Sequence, residues 1–314
     1  MLNRRHIRIK VMQTLYAFNG GESDNFIKDE KFLLQSLDNM YDLHLMMLSL
    51  LLEVQKRAED YLDKSQRKIL ATQEEKNPNR KFVNNQVLTI LQEDRALQIE
   101  IEKRKVDYWY LDFEYVDIIF KSILDSALYK EYMSSKISSF KEDRNFIVDV
   151  FTEIIAPNEK LYDYIEDKKL TWLDDLPVVN TGILKLLRKV KEENKANYFT
   201  PKLFKDTEDK EFATNLFKKT LLNKTKFNEE VAVKTKNWDA ERIAHLDAIL
   251  LQMALCEFQK FPSIPVKVTI NEYIDIAKEY STPKSSFFIN GILDKIVKEY
   301  EDNGSLNKIG RGLM

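Results

Sequence analysis

The sequence predicts an all-α fold, on three observations. Gly and Pro are scarce, seven of each in 314 residues, and both interrupt helices. Apolar residues recur at three- and four-residue spacing through most of the chain. No stretch sustains the alternation that a half-buried strand needs. PVKVTI at 265–270 comes nearest, and its place between Pro265 and the helical INEYIDIAKEY favours a helix start.

Residues 4–18 read as a short amphipathic helix with Ile7, Val11, Leu15 and Phe18 at helical spacing. Arg4, Arg5, Arg8 and Lys10 make it basic, no acid appears before Glu22, and Asn19, Gly20 and Gly21 end it. Residues 27–69 carry a long helical pattern, and the run Leu43 to Val54 is apolar enough to be buried on more than one side. Asn77-Pro78-Asn79 breaks the chain. Helices follow over 81–102, 107–132, 141–155 and 158–168; the break before Asp107 is weak, so 81–132 either stops there or bends. Pro157 suits a first helical turn, where its missing amide hydrogen costs nothing.

Residues 171–177 form a connection, and 178–190 a helix whose apolar face is Val179, Ile183, Leu186, Leu187 and Val190. The polar stretch 191–206 is the best domain boundary. Beyond it helices are expected over 208–223, 227–234, 239–260, 266–280 and 285–300, with Asp239 and Pro265 at starts. Residues 301–314 read as a flexible tail.

The chain has 49 basic and 51 acidic side chains, a net charge of -2. That excludes a globally basic nucleic-acid binder but not a local basic patch. At 44% hydrophobic and 32% charged, it is a folding composition. One cysteine, Cys256, allows no intramolecular disulfide and no cysteine zinc site. His6, His44 and His245 have no metal-ligand spacing, and no phosphate-binding or dinucleotide glycine loop appears. Asp174 and Asp175 are adjacent acids in a connection, an arrangement with no catalytic specificity. No enzyme, catalytic residue, metal or cofactor is expected. The first residues hold no long apolar run or cleavage-like site, and no stretch approaches ~18 apolar residues. A cytoplasmic protein without a membrane span is the expectation.

Several segments match a known family in order and spacing. The opening RRHIRIKVMQTLYAF, then EFATNLFKKTLLN, NWDAERIAHLDAILLQMALCEF and, most closely, PVKVTINEYIDIAKEYSTPKSSFFINGILDKI together resemble the NusB family. The last carries the pattern IP-x-x-V-x-INE-x-x-x-x-AK followed by S-x-x-F-x-NG-x-LDK. The resemblance covers roughly residues 1–20 and 206–300. It implies a NusB-like helical bundle divided into a basic N-terminal helix (1–20), an inserted helical region (21–205), a C-terminal bundle (206–300) and the tail (301–314). It also implies a cofactor-free antitermination factor. Such a factor binds boxA-containing nascent RNA with ribosomal protein S10, in an RNA polymerase antitermination complex active over ribosomal RNA operons. The alternative is a helical scaffold that binds S10 with reduced or no RNA binding.

Under that resemblance, Arg4, Arg5, Arg8 and Lys10 face phosphates, arginine through its planar fork of donors; the competing reading is a solvated charge run. His6 and Gln13 join the RNA surface, and Tyr16 either stacks on a base or packs beneath it. A second RNA group is Lys267, Asn271, Lys284, Ser285, Phe287 and Asn290. Phe287 and Phe288 point about 100° apart on a helix, so one packs the core and the other is free to stack. Ser286 stands where the family carries a basic residue, which leaves Lys284 to compensate. Glu272 either caps a turn or bonds a neighbouring arginine, and Asp247 makes a structural contact. The S10 surface is placed on Phe212, Asn215, Leu216 and Lys219, with core packing as the competing reading for Phe212 and Leu216.

Overall fold

A computed structural model of the chain describes residues 2–19, 26–235 and 244–313. All regular structure among them is helical. The chain divides into two compact units, one formed by Asp38–Leu203 and the other by Leu2–Leu37 with Phe204–Met314. No helix among the described residues is long and apolar enough to cross a membrane.

The second unit contains α1 (Arg4–Asn19), the first turns of α2 (Phe26–Gln66), α11 (Thr207–Leu222), α12 (Lys224–Lys234), α13 (His245–Lys260), α14 (Val266–Tyr280) and α15 (Ser285–Asp302). α13 is its centre: every side chain from Ile249 to Phe258 is buried, because α1, α11, α12, α14 and α15 all pack against it. A helix surrounded in this way has little need of a polar face. The start expected at Asp239 lies outside the described residues.

The tail expected to be flexible packs back on this unit. Lys308 donates to the carbonyls of Glu257 and Phe261 at 3.0 and 3.1 Å, and the Ile309 amide donates to the Pro262 carbonyl at 3.1 Å. Gly312 fits so closely there that a Cβ would stand 2.0 Å from the Pro262 oxygen. The open carbonyls at the end of α13 find their donors in the tail.

In the first unit, the Leu43–Leu51 stretch of α2 is buried all round. Around it lie α4 (Gln86–Glu93), α5 (Arg95–Arg104), α6 (Phe113–Asp125), α7 (Ala127–Ser134), α8 (Phe140–Val150), α9 (Glu159–Lys168) and α10 (Leu176–Lys189), with the short α3 (Gln73–Lys76) beyond the end of α2. Two tryptophans tie connecting segments to α2. Trp109 donates to the Met46 carbonyl and Ser49 Oγ, and Trp172 to the Asn39 carbonyl at 2.7 Å.

Two predicted helices are broken where a side chain caps a new one. Asp94 accepts from the Leu97 amide and splits 81–102, and Ser126 accepts from the Tyr129 amide and splits 107–132. Such caps satisfy amides that a helix start leaves open. Pro157 does not open α9; Asn158 does, accepting from the Leu161 amide, and Pro157 follows the π-helical turn Phe151–Ile155.

Candidate nucleic-acid interface

α1 begins at Asn3, whose side-chain oxygen accepts from the His6 amide at 2.8 Å. That start places Arg4 and Arg8 four residues apart on one face. The face meets acids. Arg4 Nε lies 3.0 Å from Asp209 Oδ1. Arg5 forms a two-point contact with Glu272, 3.0 and 3.1 Å, and a third with Asp275 at 2.8 Å. Arg8 is buried and grips Glu257 of α13 through Nε–Oε1 at 2.7 Å and Nη2–Oε2 at 2.9 Å. Burial by itself lowers the Arg8 pKa, but the Glu257 carboxylate outweighs it and the net shift is upward, so the guanidinium stays charged. Glu257 accepts further bonds from Tyr273 at 2.8 Å and Thr269 at 3.1 Å. Burial beside this carboxylate drives the Tyr273 phenol well above its ordinary range.

The basic start of α1 is therefore largely neutralised within the bundle. Arg8 is withdrawn from any phosphate, since its charge is committed to Glu257 in the interior. Lys10 and His6 are also buried, inside the packing of α1, and not on an RNA-facing surface. Arg4 and Arg5 remain partly exposed, at 40% and 43%, while their partners Asp209 and Glu272 are more deeply set, at 9% and 21%. Phe212 is buried under the Arg4 and Arg8 guanidinium groups, each 5.2 Å from its ring centre, and Leu216 is fully buried. Neither presents a surface to S10. Asn215 and Lys219 stay half-buried on α11, and the Lys219 ammonium stands 5.0 Å from the centre of the Phe261 ring.

The other end of α1 forms a different site. Tyr16 is 52% exposed, with its ring centre 5.4 Å from that of His245 at the start of α13. Met12, Gln13 and Tyr16, with His245 and the Tyr280–Thr282 segment, line a groove of about 520 Å³. Its wall is held by Asp247, buried in the first turn of α13. Asp247 accepts from Ser281 Oγ at 2.6 Å and Ser285 Oγ at 2.7 Å, and Thr282 Oγ1 lies 2.8 Å from Ser285 Oγ. Ser285 is thus a buried clamp rather than a phosphate ligand, because its hydroxyl is already engaged on two sides. Ser286 is buried as well.

The clamp sets the start of α15. Lys284 stands exposed just before it, and Phe287 is 82% exposed while Phe288 is half-buried. Asn290, half-buried, reaches Asp294 at 3.3 Å. Lys267 and Asn271 are exposed but sit on the first turns of α14. Lys267 lies thirteen residues before the end of that helix and Asn271 nine, roughly 20 and 14 Å at 1.5 Å per residue, so both stand toward the other end of α14 from Lys284 and Phe287. Arg5 lies with Glu272 and Asp275, while Tyr16 lies with Tyr280–Thr282. The structure brings together Gln13, Tyr16 and the Tyr280–Thr282 segment. Sequence reasoning missed His245, Tyr280, Ser281 and Thr282 as members of this site; the Ser-Thr-Pro turn chemistry at 281–283 was the available signal.

The architecture is that of an all-helical bundle protein with an additional helical region. Residues 183–298 match the NusB family, a span that reaches back into α10. The chain is similar to "Transcription antitermination protein NusB" of Salinibacter ruber (strain DSM 13855 / M31), 44% identical over 112 residues, 36% of this chain and 70% of that protein. It is similar to proteins of the same name from Chloroherpeton thalassium (strain ATCC 35110 / GB-78) and Geotalea daltonii (strain DSM 22248 / JCM 15807 / FRC-32). The former is 37% identical over 41% of this chain and 61% of that protein, the latter 41% identical over 29% and 63%. No solved structure matches. This chain belongs to the NusB family, with an additional helical region preceding the matched segment.

Proposed function

We propose that this protein is a cytoplasmic transcription antitermination factor that binds boxA-type RNA together with ribosomal protein S10, within an RNA polymerase antitermination complex serving ribosomal RNA transcription. The names of its relatives support this reading. One geometric observation carries the RNA contact: Tyr16, His245 and the Tyr280–Thr282 segment line one groove, with Lys284 and Phe287 exposed at the α15 start a few residues further along the chain. An exposed ring adds ~1–3 kcal/mol per stacked base, and a lysine adds a salt-sensitive phosphate contact. In this reading Gln13 and Asn290 offer amides to base edges, Arg4 and Arg5 exchange their carboxylates for more distant phosphates, and Lys267 and Asn271 lie on that outer path. S10 contacts the Asn215–Lys219 edge of α11.

A second reading, an S10-binding scaffold with weak RNA affinity, is favoured by one observation. Arg4, Arg5 and Arg8 all face carboxylates of the same bundle, which lowers the field available to RNA. The deciding measurement is binding of the protein to boxA RNA and to a scrambled RNA at one salt concentration, with and without S10. A boxA preference that S10 strengthens supports antitermination. S10 binding without RNA preference supports the scaffold.

A further inference from the structure

The basic run of α1 is neutralised within its own bundle, but a second basic run, in the other unit, is not. Residues 176–191, α10 and the two positions after it, hold Lys185, Arg188, Lys189 and Lys191 and no acid. α10 buries Leu176, Val179, Ile183 and Leu187 and packs against α8. At about 100° per residue, Lys185, Arg188 and Lys189 stand roughly 200°, 140° and 240° around the helix from Ile183. The three therefore share the outward face, and all are exposed, as are Lys191 and Lys195 beyond them. Among the described residues, none of these five cations is paired with a carboxylate.

The surrounding charges do not cancel them. Within 176–195 the acids are Glu192 and Glu193, against five bases. On α8 and the π-helical turn that follows it, Glu142 pairs with Lys81, and Asp143 accepts from Tyr132 and Gln86. That leaves Lys141 and Arg144 against Asp149 and Glu153, which adds no net charge. Asp174 and Asp175 lie at the opposite end of α10, ten residues or more from Lys185, or roughly 15 Å. Bases in a last helical turn suit the helix dipole. That accounts for Arg188 and Lys189, but not for Lys185, Lys191 or Lys195.

The face offers charge without an apolar anchor. Between Leu170 and Leu222 no large hydrophobic side chain is exposed. Protein partners are held chiefly by aromatic or aliphatic anchors, and a membrane-surface helix by an exposed apolar face. A phosphate backbone needs only cations at short intervals. Lys185 and Lys189 are one turn apart, and Arg188 adds a planar fork of donors that fits phosphate oxygens.

We propose that the outward face of α10, with Lys191 and Lys195, is a second RNA contact that holds the phosphate backbone of a single strand without reading its sequence. The choice of RNA as the polyanion rests on the RNA reading above. The site itself lies in the Asp38–Leu203 unit and shares no residue with the Tyr16 groove. Its part is to retain RNA flanking the segment that the groove reads, through contacts that weaken steeply with salt.

The test uses the full chain and two labelled RNAs, a short boxA RNA and a longer oligouridine, with an oligoglutamate of equal charge as control. Binding is read by fluorescence anisotropy over a salt series. Combined Lys185→Gln, Arg188→Gln and Lys189→Gln, which alters only exposed side chains, is expected to weaken oligouridine binding at least tenfold. The salt slope should fall by about two, at ~0.7 for each of three phosphate contacts. Binding of the short boxA RNA and the circular dichroism spectrum should stay unchanged. Oligouridine binding that the triple variant leaves intact overturns the proposal, even where boxA binding succeeds. Oligouridine binding that the variant loses supports it, even where the boxA preference fails. Oligoglutamate bound as tightly as oligouridine also overturns it, since the face then suits an acidic protein.

Discussion

Arg8 and Glu257 form a two-point ion pair inside the helical bundle, at 2.7 and 2.9 Å, with Tyr273 and Thr269 completing the hydrogen bonds of the carboxylate. Removing one partner leaves the other charge buried and unpaired, which costs about 3–5 kcal/mol. Arg8→Met is expected to lower the urea unfolding midpoint of this bundle by a corresponding amount. The double variant Arg8→Met, Glu257→Leu should lose less than the sum of the single changes. Equal and additive losses would show that the two charges do not depend on each other.

Asp247 holds the wall of the Tyr16 groove through Ser281 and Ser285. Asp247→Ala removes the acceptor shared by the buried Ser285 hydroxyl and the half-buried Ser281 hydroxyl and is expected to cost ~1–3 kcal/mol, measured by urea unfolding. Ser285→Ala should cost less, because Ser281 still bonds the carboxylate. If the groove binds RNA, Asp247→Ala weakens that binding at temperatures where the variant is fully folded.

Phe287 and Arg5 separate the two ends of α1 as RNA contacts. Phe287→Ala is expected to leave stability unchanged, the side chain being largely in water. It should weaken RNA binding by ~1–3 kcal/mol through lost stacking. Lys284→Ala should reduce the salt slope of binding by about one phosphate contact, and Arg5→Ala, already paired with Glu272 and Asp275, by less. A larger salt effect for Arg5→Ala would place the RNA at the other end of α1.

His44 is buried in α2 with Nε2 2.9 Å from the Phe199 carbonyl. Burial pushes its pKa down from 6.5 to about 4, against the opposing effect of the Phe199 bond. Between those values the unfolded chain binds the proton and the folded one does not. Stability is therefore lost as pH falls from 6.5 to 4, by roughly 3 kcal/mol in full. Urea midpoints for the 38–203 unit taken between pH 7 and 4 should fall more for the wild-type chain than for His44→Gln. Parallel curves would show that the imidazole protonates as readily in the folded state as in the unfolded one.

The all-helical class, the buried stretch of α2, the helices of the C-terminal bundle and the family resemblance were legible in the sequence. Apolar spacing reports geometry over one or two helical turns, and that range is enough to define each helix and its inner face. The breaks at Asp94 and Ser126 rest on local capping, but their helical flanks concealed them. Tertiary structure alone decided what the charges do. Arg4, Arg5 and Arg8 form an exposed basic run only while their partners are unknown, and those partners lie 205 to 270 residues away. Folding turns the run into ion pairs and buries Arg8. It leaves Tyr16 beside the Tyr280–Thr282 segment, and Tyr110, Leu111 and Phe113 in water. The reason is physical: hydrophobic periodicity is a property of a segment, whereas the field at a side chain depends on every charge that the fold brings near it.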